Sequence, residues 1–339
     1  MSSTRRHFLR QLGAGAASFG AVGLGFSSSL FQQLMAEPIP APKLFFDISL
    51  AEFSLAGPLY AGKLTNLEFP AMAKRDFGIS NVEYVSGFWQ DKAKDQAYLN
   101  ELKQRTDDLG VRNVLIMVDG EGDLGSPNAT ERKKAVENHY KWVEAAKFLG
   151  CHAIRVNLNG KGSDEEIAKA GVEGYGALVD YGAKHKMAVI IENHFGPSTN
   201  PDWLADVVRQ VNSPYAGVLP DFGNFTRRTD PEAQTIEAFA KTKVIKEYDR
   251  YDGVKKLMPY AKGVSAKTHQ FDDRGYDVET DFTRMLKLIK DAGFKGFIGI
   301  EYEGAFLKQM MQLPGDYLTE FEGIMATKRL LEKVGATLS

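Results

Sequence analysis

The sequence predicts a single (β/α)8 barrel. Short apolar runs of β-formers alternate with helix-length segments eight times, and no two runs lack a helix-length crossover between them. Four successive runs in the C-terminal half end in charged side chains, which is how a parallel barrel presents its working groups. At 339 residues and 43% hydrophobic composition, one barrel of about 250–300 residues with an N-terminal appendage fits better than two ordinary domains.

The appendage comes first. Arg5 and Arg6, in TRRHFLR, precede an uncharged, Gly/Ala-rich segment over 11–36, the order of a secretory signal. The paired arginines resemble a twin-arginine signal, which makes the twin-arginine translocase the export partner and the periplasm or another exported compartment the destination. Cleavage near Ala36 removes three arginines and takes the formal charge from -2 to about -5. Many glycines and serines make the segment a weak spanning helix, so no stable membrane insertion is expected. Residues 1–40 are therefore read as signal and linker, and 41–339 as the barrel.

Strands are expected over 44–50, 79–85, 111–118 and 152–158, with helices over 67–77, 92–109, 129–149 and 164–185. The loop SPNAT before Ala129 and the Ser163-Asp164-Glu165-Glu166 start are helix-entry signals. VIIEN is the fifth strand, 201–211 a helix and 216–219 the sixth strand. A mostly helical connection over 229–260 feeds the seventh strand at 263–268. A helix over 278–292, a strand over 296–302 and a closing helix over 317–334 complete the set. The lone Cys151 opens an apolar stretch and is read as a buried structural thiol. His139 and His185 are read as surface histidines on helices.

Alternation along a strand decides which charged groups can meet. If Glu301 faces the barrel interior, Phe297 and Gly299 do as well, and Ile298 and Ile300 face the helices. By the same parity Glu192 joins Ile190 and Ala188, Asp221 joins Leu219, and Lys267 and His269 join Ser265. Four strands thus offer Glu192, Asp221, Lys267 or His269, and Glu301 to one mouth. Gathered acids repel unless a proton or cation neutralises them, and one divalent ion does this economically. Three carboxylates with one imidazole suit Mn²⁺ or Mg²⁺, with Co²⁺ or Zn²⁺ also compatible. Helix capping or pairing with Lys and Arg is the competing explanation for each acid taken singly.

These stretches, with LGCHAIRVN, VIIENHFG, VLPDFGNF, VSAKTHQFD and GFIGIEYEG, resemble the sugar phosphate isomerase/epimerase superfamily of xylose isomerase-like barrels. The resemblance covers nearly all of the chain after residue 43. It implies one divalent ion held by Glu192, Asp221 and Glu301, with a histidine from the seventh strand. The chain departs there, because the expected histidine position is Ser265; His269 is the substitute ligand. Asn224 stands where ketose epimerases carry a histidine, so a ketohexose 3-epimerase is a poor literal match.

Such a site favours proton transfer at a carbon beside a carbonyl, through a metal-stabilised enediolate. Glu192 and Glu301 are the catalytic pair that the resemblance implies, and Lys267 either stabilises the oxyanion, acts as a base or pairs with the acids. Arg155 and Asn157 on the fourth strand and Glu83 on the second are expected to contact sugar hydroxyls, and His194 to bind substrate, support the metal from behind its ligands or make a loop contact. Phe88 and Trp89 are expected to form an apolar wall against a sugar ring, with ordinary packing the competing explanation. Export argues against a phosphorylated substrate and for a free sugar, keto-sugar or glycoside. The same chemistry also serves a lyase or dehydratase, and loss of the fourth ligand leaves open a non-catalytic carbohydrate-binding barrel. Few histidines and interspersed charges argue against a nuclease and against any nucleic-acid partner.

Overall fold

The computed structural model describes residues 43–229 and 241–338. The segment 1–40, with its arginine pair, lies outside them. Eight parallel strands form one sheet: β1 (Asp47–Ala51), β2 (Asn81–Val85), β3 (Arg112–Val118), β4 (Ala153–Val156), β5 (Ala188–Glu192), β6 (Ala216–Leu219), β9 (Val264–Thr268) and β10 (Phe297–Tyr302). Their order is β6-β5-β4-β3-β2-β1-β10-β9. Backbone bonds close the remaining seam between β6 and β9, from Lys262 to Val218 at 3.0 Å, Ser265 to Pro220 at 2.9 Å and Phe222 to Ser265 at 3.1 Å. Pro220 has no N–H and interrupts the ladder, so this seam is paired only in pieces. The molecule is an α/β barrel of the (β/α)8 type.

Helices α1 (Ala56–Tyr60), α2 (Phe69–Phe77), α3 (Gln96–Leu109), α4 (Ala129–Leu149), α5 (Asp164–Lys184), α6 (Pro201–Val211), α7 (Arg250–Leu257), α8 (Phe282–Asp291), α9 (Gly304–Met311) and α10 (Glu320–Thr337) accompany the strands. Asn128 caps α4 through the N–H groups of Thr130 and Glu131, and Ser163 and Glu166 form a capping box on α5. The strand parity holds. Val189, Ile191, Val218, Val264, Ile298 and Ile300 pack under the helices. Leu115, Met117, Ala153, Ala188, Ile190, Leu219 and Phe297 fill the barrel interior. This apolar plug occupies the strands below their C-terminal ends and leaves the polar groups to the mouth.

The connection after β6 carries a helix, α7, entered at an Asp249 cap and continued by a 3-10 turn over Met258–Tyr260, with part of it, 230–240, outside the described residues. It also holds a strand that the sequence reading did not include, β8 (Val244–Glu247), which pairs antiparallel with β7 (Thr226–Arg228). Val244 and Ile245 are β-branched and favour that extended pairing. Two expectations are corrected. His139 is buried, not on the surface, with Nδ1 2.7 Å from the Ala135 carbonyl oxygen one helical turn earlier. Trp89 is buried under the helices against Tyr84, Tyr98 and Trp142, so it makes no wall at the mouth. Cys151 is buried, and burial raises its thiol pKa. Among the described residues no helix is long and apolar enough to cross a membrane.

Candidate active site

Glu192 ends β5, Asp221 follows β6 and Glu301 lies on β10. One carboxylate oxygen from each lies within 4.8 Å of the others, and all three side chains are buried. Local chemistry fixes them. The Asn193 side-chain amide spans β5 and β6, accepting from the Asp221 N–H at 2.8 Å and donating to the carbonyls of Asp221 and Asn224 at 3.1 and 3.2 Å. Asp221 Oδ1 in turn accepts the N–H groups of Gly223 and Asn224, and the Asn224 amide donates to Glu192 Oε1 at 3.0 Å.

Two cations answer the acids. Arg155 on β4 places Nε 2.8 Å from Glu192 Oε2, as an ion pair off the N–H axis, and donates from Nη1 to Asp119 at 3.1 Å. Lys267 Nζ lies 3.6 Å from Asp221 Oδ2, 3.5 Å from Glu301 Oε2 and 3.3 Å from Glu303 Oε1. Burial pushes Glu192 up to about 8 against the opposing pull of Arg155, and pushes Glu301 up against that of Lys267. For Lys267 burial works toward the neutral form, but the surrounding carboxylates win and hold it charged.

At the seventh barrel strand, β9, the side chain that lies against the triad is Ser265, and His269 is turned to other partners. Ser265 Oγ lies 2.7 Å from Asp221 Oδ2 and 2.9 Å from Glu301 Oε2, joining two members of the triad. The single hydroxyl hydrogen can donate to only one of those oxygens at a time. His269 lies beyond the strand end. Its Nδ1 is 3.0 Å from Glu279 and its Nε2 3.6 Å from Glu303, and these carboxylates overcome burial to raise it to about 10. The imidazole is thus spent on two carboxylates and does not join the triad. Glu303, drawn down by Lys267 and His269 despite burial, links the two arrangements.

The remaining polar residues line the same end. Asn157 donates to Asp119 at 2.5 Å and meets His194 Nδ1 at 2.9 Å through its own Oδ1. Glu83 accepts from Ser49 at 2.5 Å, its Oε2 has no hydrogen-bond partner among the described residues, and burial pushes it up to about 7. Phe88 packs with Phe53, Tyr60 and Phe306 into a half-buried aromatic cluster built from the segments after β1, β2 and β10. Sequence reasoning missed Asp119 although VLIMVD carried the same signal as the other strands, an apolar run ending in a carboxylate. It gave no role to Asn193 or Glu303, and Phe53, Tyr60 and Phe306 carried no local signal at all.

By donor chemistry the triad fits a hard divalent ion: three carboxylates converge, and a hydroxyl stands between two of them. No nitrogen ligand joins that group among the described residues.

The fold is similar to that of an L-ribulose 3-epimerase, with a TM-score of 0.63 and 13% identity over 86% of this chain and 95% of that one. It is similar also to the IolI protein with a bound zinc atom, at 0.59 and 15% over 86% and 99%. A third neighbour is a xylose isomerase-like TIM barrel protein from Mycobacterium smegmatis in complex with magnesium, at 0.59 and 13% over 87% and 98%. At these identities the likeness is one of fold. No protein of curated function matches the sequence. Residues 73–320 match the family described as xylose isomerase-like TIM barrel, and the chain belongs to that family.

Proposed function

We propose that the protein is a sugar isomerase or epimerase that moves a proton at a carbon beside a carbonyl of a free sugar or keto-sugar. The observation that carries this reading is the pair Glu192 and Glu301: two buried carboxyls whose hold on a proton is raised, each with an oxygen within 4.8 Å of the other's, beside a charged lysine. A carboxyl of this kind takes a proton from carbon near neutral pH, and its partner returns one. The sugar epimerase among the structural neighbours supports the reading.

Lys267 and Arg155 supply fixed positive charge against an oxyanion, in a buried setting where such charge acts strongly. Asp119, Asn157 and His194 present hydrogen-bonding groups to sugar hydroxyls, and the cluster around Phe88 offers an apolar face. Glu192, Asp221 and Glu301 would hold one divalent ion, which when bound supplies Lewis acidity to the substrate oxygens. Export through the arginine pair at the N-terminus is part of the proposal and favours an unphosphorylated substrate.

A panel of free ketoses and keto-glycosides, followed for epimer or aldose formation, tests the reading. Glu192→Gln and Glu301→Gln are each expected to lower turnover on the accepted sugar by roughly 100-fold or more. Full turnover in either variant contradicts the assignment.

A further inference from the structure

We propose that Lys267 is the resident cation of the carboxylate cage, and that a divalent metal enters the cage only by displacing its ammonium group. The inference rests on reading the triad as a metal cage and goes beyond it by naming what governs occupancy.

Asp221 Oδ2 and Glu301 Oε2 are the two atoms bridged by Ser265 Oγ, at 2.7 and 2.9 Å, and they are also the two that face Lys267 Nζ, at 3.6 and 3.5 Å. An ion bound between Asp221 and Glu301 therefore draws on the lone pairs that now face the ammonium. Both positive charges against one pair of buried oxygens repel each other with little water to screen them. The third acid of the triad is already answered, since Glu192 faces Arg155 at 2.8 Å. The hydroxyl at Ser265 is a neutral oxygen and adds little to compensate a metal for displacing a lysine.

The ammonium also has somewhere to go. Glu303 Oε1 is its nearest carboxylate oxygen at 3.3 Å and is not a member of the triad. Glu303 is tied on its other side to His269 and through it to Glu279, so it is a fixed acceptor. A small movement of Lys267 toward Glu303 vacates the triad without leaving a buried charge unpaired. Lys267 is in this sense a positioning residue that sets metal affinity as well as a fixed charge beside the substrate.

Calorimetric titration of the metal-stripped protein with Mn²⁺ tests this. Lys267→Met is expected to bind Mn²⁺ at least tenfold more tightly than wild type, and Lys267→Arg, which keeps the charge, to stay within threefold of wild type. Equal or weaker binding by Lys267→Met overturns the proposal. Should that variant not fold, wild-type crystals soaked in Mn²⁺ and read by anomalous diffraction decide it. Manganese on the triad with Nζ withdrawn from Asp221 and Glu301 supports it. Manganese with those contacts kept, or no manganese at the triad, overturns it. Turnover of ketoses is measured separately, so failure here is distinguishable from failure of the proposed activity.

Discussion

Glu83 illustrates how a single buried group couples this fold to pH. Among the described residues its carboxyl has one hydrogen-bond partner, Ser49, and an oxygen with none, and burial moves it from 4.5 to about 7. The folded chain thus holds that proton more tightly than the unfolded chain. Below about 4.5 both states are protonated and the group costs nothing; as pH rises through about 7 the folded state must carry a buried charge. Stability is expected to fall across that window by on the order of 3 kcal/mol, and Glu83→Gln, which stays neutral, is expected to flatten the fall. Denaturant unfolding at pH 5 and pH 8 reads the difference, and parallel profiles for the two proteins would contradict it. Residue identity alone did not disclose this: Glu83 was legible as facing the interior, but its lack of a second partner depends on what the neighbouring strands supply.

At the scale of elements, the site depends on strands that alternate faithfully and on the glycine that lets two of them meet. A Cβ on Gly299 of β10 would come 2.7 and 2.8 Å from the two Glu83 oxygens. Gly299→Ala is expected to cost about 1–3 kcal/mol by overpacking. Adding Glu83→Ala removes the obstruction, so the double variant is expected to be more stable than the sum of the single effects implies. Strict additivity in denaturant unfolding would show that the two do not meet. The same alternation made Glu192, Asp221, Lys267 and Glu301 legible from sequence, because a period of two leaves no freedom once one face is apolar. It fails where the strand ends. His269 lies one residue past β9 and is drawn to Glu279 and Glu303, and the turn after β2 sends Trp89 under the helices while Phe88 stays at the mouth.

Across the whole molecule, an apolar plug in the barrel and a charged mouth above it divide stability from chemistry. Leu115, Ile190, Leu219 and Phe297 keep the lower barrel dry, so the carboxylates, Arg155 and Lys267 interact at their ends without bulk water between them. The eightfold alternation was readable because each strand and helix carries its own hydrophobic period. The hairpin β7–β8 was not, because its second strand is only Val244–Glu247, with exposed side chains and no buried face to impose a pattern.

Hydrogen exchange with solvent reads proton transfer beside a sugar carbonyl without needing the product to be known. The protein is incubated with free ketoses in D₂O and the sugar is followed by proton NMR. Deuterium is expected at the carbon next to the carbonyl, with the rate falling roughly 100-fold or more in Glu301→Gln. Sugar that binds and keeps all its carbon-bound protons, or exchange at the wild-type rate in that variant, would rule out Glu301 and this chemistry.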